Sequence, residues 1–421
     1  MRRECKGTTG WLLAMALVAV AGCSEIEGEA PIFGSLHYPV SVSVTPSGDH
    51  LLVANSNFDL GKRFASVVVI DLETRSFVTD SGVSVGAFPG ALTLGPPTDP
   101  ADGSSVRAAY LPVREDDSLT WFEVDWLDGT PVLRCDDPEV SYTDRRCAGR
   151  YVVTRGEDAD GETISVGNDP FASLVLTGRI GEPDHLVVGS LRSGSLDLFE
   201  IAPEDGAPTL TDRVFSTQGL NDLALHTPSR TIFATAKYSP VVLRVQVETD
   251  DEGSHLASLA PLSLPLSTSS SDIGRSLAFT SDGSRLLVAL RAPDALMVFD
   301  TTSQGSADPD VGLLGIVSMG DDPACIRVYP TGPDGADQAY VISLANNSLY
   351  VVDPEALSVV ARIRLGPSND NPDLSGISPF SMAWSPTRRE AYVANFLGHS
   401  LSVVDLDPAR DTYHTVIEEI R

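Results

Sequence analysis

The stretch that decides the fold is Val40–Asn55, VSVSVTPSGDHLLVAN, preceded by Pro39. Val40, Val42 and Val44 alternate with Ser41 and Ser43, the period of a strand with one apolar face. Pro46, Ser47, Gly48 and Asp49 supply turn chemistry, and Leu51, Leu52 and Val53 read as a second, buried strand. The unit recurs as Asp222–Ala236 (DLALHTPSRTIFATA), Arg275–Leu290 (RSLAFTSDGSRLLVAL) and Phe380–Asn395 (FSMAWSPTRREAYVAN). Looser copies begin at Gly90, Phe171 and Ala324.

Aligning the copies on their turns places Pro39, Pro89, Pro170, Asn221, Gly274, Pro323 and Pro379 in one column, with separations of 50, 81, 51, 53, 49 and 56 residues. A period near 50 with several strands per repeat denotes a propeller or a solenoid, because one repeat cannot bury both faces of its own sheet and stacked neighbours can. Third strands also repeat: Ser66–Asp71, Ser195–Phe199, Ala295–Asp300, Ser348–Asp353 and Ser400–Asp405. The aspartates that end these strands are expected to cap N–H groups of the following turn. Tyr413–Arg421 reads as a last edge strand, which would complete the seventh repeat or close the ring against the first.

Val53-Ala54-Asn55 and Tyr392-Val393-Ala394-Asn395, together with the Ser-Val-Val-(Val/Ile)-Asp third strands, resemble the YVTN repeat of seven-bladed β-propellers. That family is similar to surface-layer and YncE-like propellers, to lactonase-type propellers and to the haem-d1 propeller domain. The resemblance covers about residues 37–421 and is strong in repeats 1, 5, 6 and 7. Repeats 2, 3 and 4 depart from it, with Pro112-Val113, Gly189-Ser190 and Thr235-Ala236 at the motif's end. It implies an all-β fold, a seven-bladed β-propeller of four-stranded antiparallel blades. WD40 and kelch marks are missing.

Residues 1–22 read as a lipoprotein signal peptide, with Arg2, Arg3 and Lys6 preceding the apolar run Trp11–Ala21, which is too short to span a bilayer. Val20-Ala21-Gly22-Cys23 resembles a bacterial lipobox, with Cys23 the acylated residue; an ordinary signal peptide cleaved nearby is the alternative. Ser24 resembles the residue that directs such lipoproteins to the outer membrane, so a lipid-anchored envelope protein is expected. Residues 23–36 form a tether and 37–421 the propeller. The net charge of −29 excludes a phosphate-backbone footprint, so no nucleic-acid partner is expected. It is the charge of a protein kept soluble by self-repulsion, and a monomer is expected.

The 81-residue interval carries an insertion, about 126–161, with Cys135 and Cys147 among Asp136, Asp137, Glu139, Asp144, Glu157, Asp158 and Asp160. In an exported chain two such cysteines are expected to pair as a disulfide. Asp158–Glu162 is a fragment of a calcium-loop pattern, read as a solvated loop, so no metal is assigned. Cys325, in an inner-strand position equivalent to Ser41 and Ser381, is expected to be a small buried residue. Gly366–Ser378 is a long polar loop entering the seventh repeat.

Loops entering the innermost strands rim the central channel of a propeller. The aligned column therefore brings Asp169, Asp222, Arg275 and Asp322 toward one mouth as candidate binding residues, with mutual solvation as the alternative. No GxSxG elbow, HExxH, Walker loop or CxxCH occurs, the seven histidines form no close pair, and no cofactor and no catalytic residue is assigned. The expected function is binding or scaffolding of an envelope protein or glycan. Lactone or ester hydrolysis at the charged mouth is the alternative, and a redox-associated propeller the third.

Overall fold

A computed structural model describes residues 28–99, 103–135, 145–157, 161–251, 253–265, 273–302, 311–366 and 377–421. Cys23, Asp136, Asp137, Glu139, Asp144, Asp158, Asp160 and most of the Gly366–Ser378 loop lie outside the described residues.

Among the described residues seven of the eight antiparallel sheets surround one channel as blades, and the eighth is the hairpin of Arg155–Glu157 and Thr163–Ser165. The innermost strands are Pro39–Val44, Thr93–Leu94, Pro170–Leu176, Leu220–His226, Gly274–Phe279, Pro323–Tyr329 and Pro379–Ser385. Each blade then runs outward in chain order, and five of the seven hold four strands in simple sequence. In blade 1 the outer position is shared by Ser76–Phe77 and Val83–Val85, both paired to Ala65–Asp71. In blade 2, Thr130–Arg134 and Val152–Val153 share it against Ser118–Leu127. Trp126, where the insertion was expected to begin, is therefore still in the third strand.

The core lies between blades, which is why second strands are apolar on both faces. In His50–Asn55, Leu51 and Val53 pack with Tyr392, Ala394 and Leu401 of blade 7, while Leu52 and Ala54 pack with blade 2. Successive side chains of a strand point to opposite faces, so one LLVA run serves two interfaces. Asn55 ends this strand buried, accepting His37 N–H at 2.9 Å and donating to Ser66 Oγ at 3.1 Å. Asn395 likewise donates to Ser400 and Ser402 Oγ at 3.0 and 2.9 Å. The Ala-Asn ending thus fastens the second strand to the serine that opens the third.

The strand-ending aspartates cap turns. Asp71 accepts Thr74 N–H at 2.7 Å, and Asp300, Asp353 and Asp405 accept Thr302, Glu355 and Asp407 N–H, each at 2.9 Å. Asp197 differs: it sits mid-strand, fully buried, accepting Gly167 N–H at 2.8 Å and Arg213 Nε–H at 2.5 Å. Cys135 and Cys147 form a disulfide. It joins the two segments that share the outer edge of blade 2, and Leu133 and Cys147 N–H donate to Ser81 and Ser84 carbonyls of blade 1. The terminal strand Val416–Ile420 pairs with Ser400–Asp405 and so completes blade 7.

Candidate functional site

The entry to the channel is built by one repeated backbone device. In six blades the inner strand carries a register shift against the second strand, at Pro39/Ser41, Pro170/Ala172, Leu220/Asp222, Gly274/Ser276, Pro323/Cys325 and Pro379/Ser381. A bulge leaves one residue unpaired and re-aims its side chain. The residues so released are Val40, Phe171, Asn221, Arg275, Ala324 and Phe380, and all six line the mouth cavity, of about 250 Å³. Gly90 takes the same place in blade 2, where a Cβ would meet the Phe171 carbonyl oxygen at 2.2 Å.

This geometry corrects the aligned column in blade 4. The residue equivalent to Pro39 and Gly274 there is Leu220, not Asn221. The residue before the column also agrees, being left-handed in six blades: Tyr38, Phe88, Asp169, Gly219, Asp322 and Ser378. Asp222 is thus equivalent to Ser276 rather than to Arg275, and sits one step deeper in the channel. Turn-to-turn alignment missed this because the Thr227–Arg230 turn of blade 4 differs from the Pro-Ser-Gly-Asp turn of blade 1.

The deeper ring staples neighbouring blades. Ser41 Oγ accepts Leu92 N–H at 2.8 Å, Asp222 Oδ2 accepts Leu277 N–H at 3.3 Å, and Ser276 Oγ accepts Ile326 N–H at 3.0 Å. Cys325 takes the equivalent position on the inner strand of blade 6. Burial pushes the Cys325 thiol up, against the pull of the Arg327 guanidinium. Cys325 is thus a small buried residue, as its position predicts.

Asp222 Oδ2 also accepts the Ser276 hydroxyl and Arg327 Nη1–H at 3.3 Å. Arg327 reaches past blade 5 to make this pair, and its Nη1 donates to the Ile326 carbonyl at 2.7 Å as well. Asp222, Arg327, Ser41, Ala91 and Ser381 border both the mouth cavity and a second cavity of about 640 Å³ further along the channel, so the pair stands where the two meet.

Of the four residues expected at one rim, Asp222 and Arg275 line the cavity. Asp169 and Asp322 stand behind it as counter-ions. Asp169 pairs with Arg114, and Asp322 accepts Arg275 Nη2–H at 3.5 Å and forms an ion pair with Arg291 at 3.1 Å. Sequence reasoning missed Arg114, Lys237 and Arg327, which also line the mouth. Arg327 carried a usable signal, lying two residues beyond Cys325 on the same inner strand; Arg114 and Lys237 follow second strands and carried none. The charged lining is therefore Arg114, Lys237, Arg275 and Arg327 around the one carboxylate of Asp222.

An aromatic arc flanks the mouth. Phe58 stacks edge-on to Phe396 and Phe88, at 5.1 and 6.2 Å between centroids, and Phe396 lies 6.1 Å from Phe380 inside the cavity. His399 is held below the usual imidazole value by burial and by His37. His226 is buried between Ser229 Oγ, at 2.6 Å, and the Gly283 carbonyl, at 3.1 Å, and is structural.

No family model matches the sequence and no curated protein is similar to it. Solved structures are similar in fold. A periplasmic gluconolactonase of Pseudomonas aeruginosa superposes with a TM-score of 0.54 at 16% identity, covering 77% of this chain and 84% of that one. A candidate 6-phosphogluconolactonase of Bacteroides fragilis gives 0.53 at 15%, covering 75% and 80%. Hydrazine synthase of Kuenenia stuttgartiensis gives 0.56 at 14%, covering 89% and 97%. The class defined is the seven-bladed β-propeller. At such identities the likeness concerns fold alone, and these neighbours carry unrelated chemistries on it.

Proposed function

We propose that the channel mouth binds a small anionic ligand of the size of a sugar acid. One observation carries this: in a chain of net charge −29, the residues lining the mouth include four cationic side chains and one carboxylate, with Asp169 and Asp322 pairing with Arg114 and Arg275 from behind the lining. Cations converging in a concave site focus the field and recruit an anion against the charge of the whole molecule. A cavity of about 250 Å³ suits one small molecule rather than a polymer segment. Titration calorimetry of the protein from Ser24 onward tests it, with gluconate, 6-phosphogluconate and glucose. Gluconate or 6-phosphogluconate should bind, glucose should not, and Lys237→Ala should weaken binding about tenfold, an ion-pair loss near 1.4 kcal/mol. Equal binding of glucose, or none of the anions, refutes it.

Lactone hydrolysis is the second reading. It is favoured by the gluconolactonase named above and by Asp222 and Arg327 meeting at the floor of the mouth. Three donors already occupy Asp222 Oδ2, so binding stands first. Turnover of gluconolactone abolished by Asp222→Asn in a folded protein would raise this reading above it. We further propose that the chain is an envelope lipoprotein, acylated at Cys23 and held at the outer membrane.

A further inference from the structure

We infer that the mouth face of the propeller lies against the membrane to which Cys23 anchors the chain. The inference rests on the lipid-anchor reading above, and adds an orientation to it. The described chain begins at Gly28 and is fixed at once to the mouth face of blade 1. Glu29 N–H donates to the Gly61 carbonyl at 3.2 Å, Arg63 N–H donates to the Glu29 carbonyl at 2.8 Å, and the Glu29 carboxylate pairs with Lys62. Ser66 Oγ–H then donates to the Ile32 carbonyl at 3.0 Å. The loop that holds Glu29 joins His50–Asn55 to Ala65–Asp71. Asn55 is paired with Pro39 at the channel entry, so this loop belongs to the mouth face.

Four residues lie between Cys23 and Gly28, and even fully extended the five steps span about 18 Å. An inner strand of six residues is itself about 20 Å long, before its turns are added. An acyl group on Cys23 therefore cannot be inserted in a bilayer on the far side of the disc. The surface agrees. Phe58 and Leu60, in the loop that holds Glu29, are 54% and 58% exposed, and Leu397, on the same face of the adjoining blade 7, is 42% exposed. At the opposite end of these two blades the turns 45–49, 72–75, 386–389 and 406–412 expose no large apolar side chain. Exposed apolar groups beside an anchoring point fit a lipid interface. A ligand then reaches the mouth from the gap between disc and bilayer.

The full chain, acylated in cells and reconstituted in phosphatidylethanolamine–phosphatidylglycerol vesicles, tests this. An environment-sensitive fluorophore is placed at Leu60→Cys or at Glu73→Cys, which lies on the opposite face of the same blade. Cys325 is buried and Cys135 and Cys147 are paired, so the label is selective. Headgroup-spin-labelled lipid should quench the label at 60 several-fold more than the label at 73. Equal or reversed quenching, with acylation verified by mass, overturns the orientation and leaves the anchor standing. Absence of the acyl mass overturns both.

Discussion

Replacing Arg75 by alanine should open the ring at one seam. Among the described residues no strand of blade 1 comes from the C-terminus, since Val416–Ile420 belongs to blade 7. Closure therefore depends on side chains. Arg75, on the turn after the third strand of blade 1, donates Nη2–H to Glu390 Oε1 at 2.9 Å and pairs through Nη1 with Glu418. The Glu390 side chain is 8% exposed and accepts the Tyr392 hydroxyl at 2.7 Å. Removing one partner of a buried pair costs about 3–5 kcal/mol, because the remaining charge is left desolvated. The Arg75 side chain is 21% exposed, so water can enter the space it vacates, and about 2–3 kcal/mol is the expected loss. Removing the stranded charge as well should recover about half, so Arg75→Ala/Glu390→Gln should be more stable than Arg75→Ala alone. Denaturant melts give the free energies, and hydrogen exchange should show the loss concentrated in blades 1 and 7, where a stacked array opens first at its weakened interface. An Arg75→Ala protein within about 0.5 kcal/mol of the parent, with no rescue by Glu390→Gln, would show that the apolar cluster at Leu51, Val53, Tyr392 and Leu401 alone holds the seam.

Acid should destabilise the protein through its buried histidines. Burial holds His50, His185, His226 and His414 below the usual imidazole value, His414 at about 4. Above about pH 6.5 these groups are neutral in both folded and unfolded chains and contribute no pH dependence. As pH falls from about 6.5 toward 4 the unfolded chain binds protons that the folded chain refuses, so stability falls, by at most about 3 kcal/mol for His414 alone. Thermal melts across that window should flatten in His414→Gln, which keeps a polar partner for the Tyr340 hydroxyl now 3.1 Å from Nε2; an unchanged slope would contradict the assignment. Reduction of Cys135–Cys147 should add about two daltons and loosen the outer edge of blade 2 by up to about 3 kcal/mol, the loop-closure value for a ring of this size. Limited proteolysis reads the loosening, and an unchanged cleavage pattern would count against it.

What was legible in the sequence follows from what repeats. Strand alternation and turn residues recur once per blade, and the Ala-Asn ending marks blades 1 and 7, so seven blades, their order and the capping role of Asp71, Asp300, Asp353 and Asp405 could be read directly. The mouth could be read only in part. Its rim is set by a single bulged residue in each of six blades, and a one-residue slip in blade 4 exchanges Asn221 for Asp222. That slip matters because side-chain direction in a strand reverses at every step. Arg114 and Lys237 reach the cavity from just beyond second strands, where nothing in the repeat distinguishes an inward side chain from a solvated one.

The same staple geometry explains why a carboxylate can stand at the channel floor at all. In blades 1 and 5 the stapling position holds Ser41 and Ser276, which are neutral and accept one N–H each. In blade 4 it holds Asp222, which keeps the inter-blade N–H bond and adds a charge that Ser276 and Arg327 satisfy from the wall. A serine there would have closed the ring as well, so ring closure does not require the charge. What the carboxylate adds is a fixed position for Arg327: it draws the guanidinium across blade 5 to the junction of the two cavities. Asp222→Ser should therefore leave the disc folded but free Arg327 to move, and loss of anion affinity without loss of stability would mark Asp222 as a positioning residue for the cation beside it.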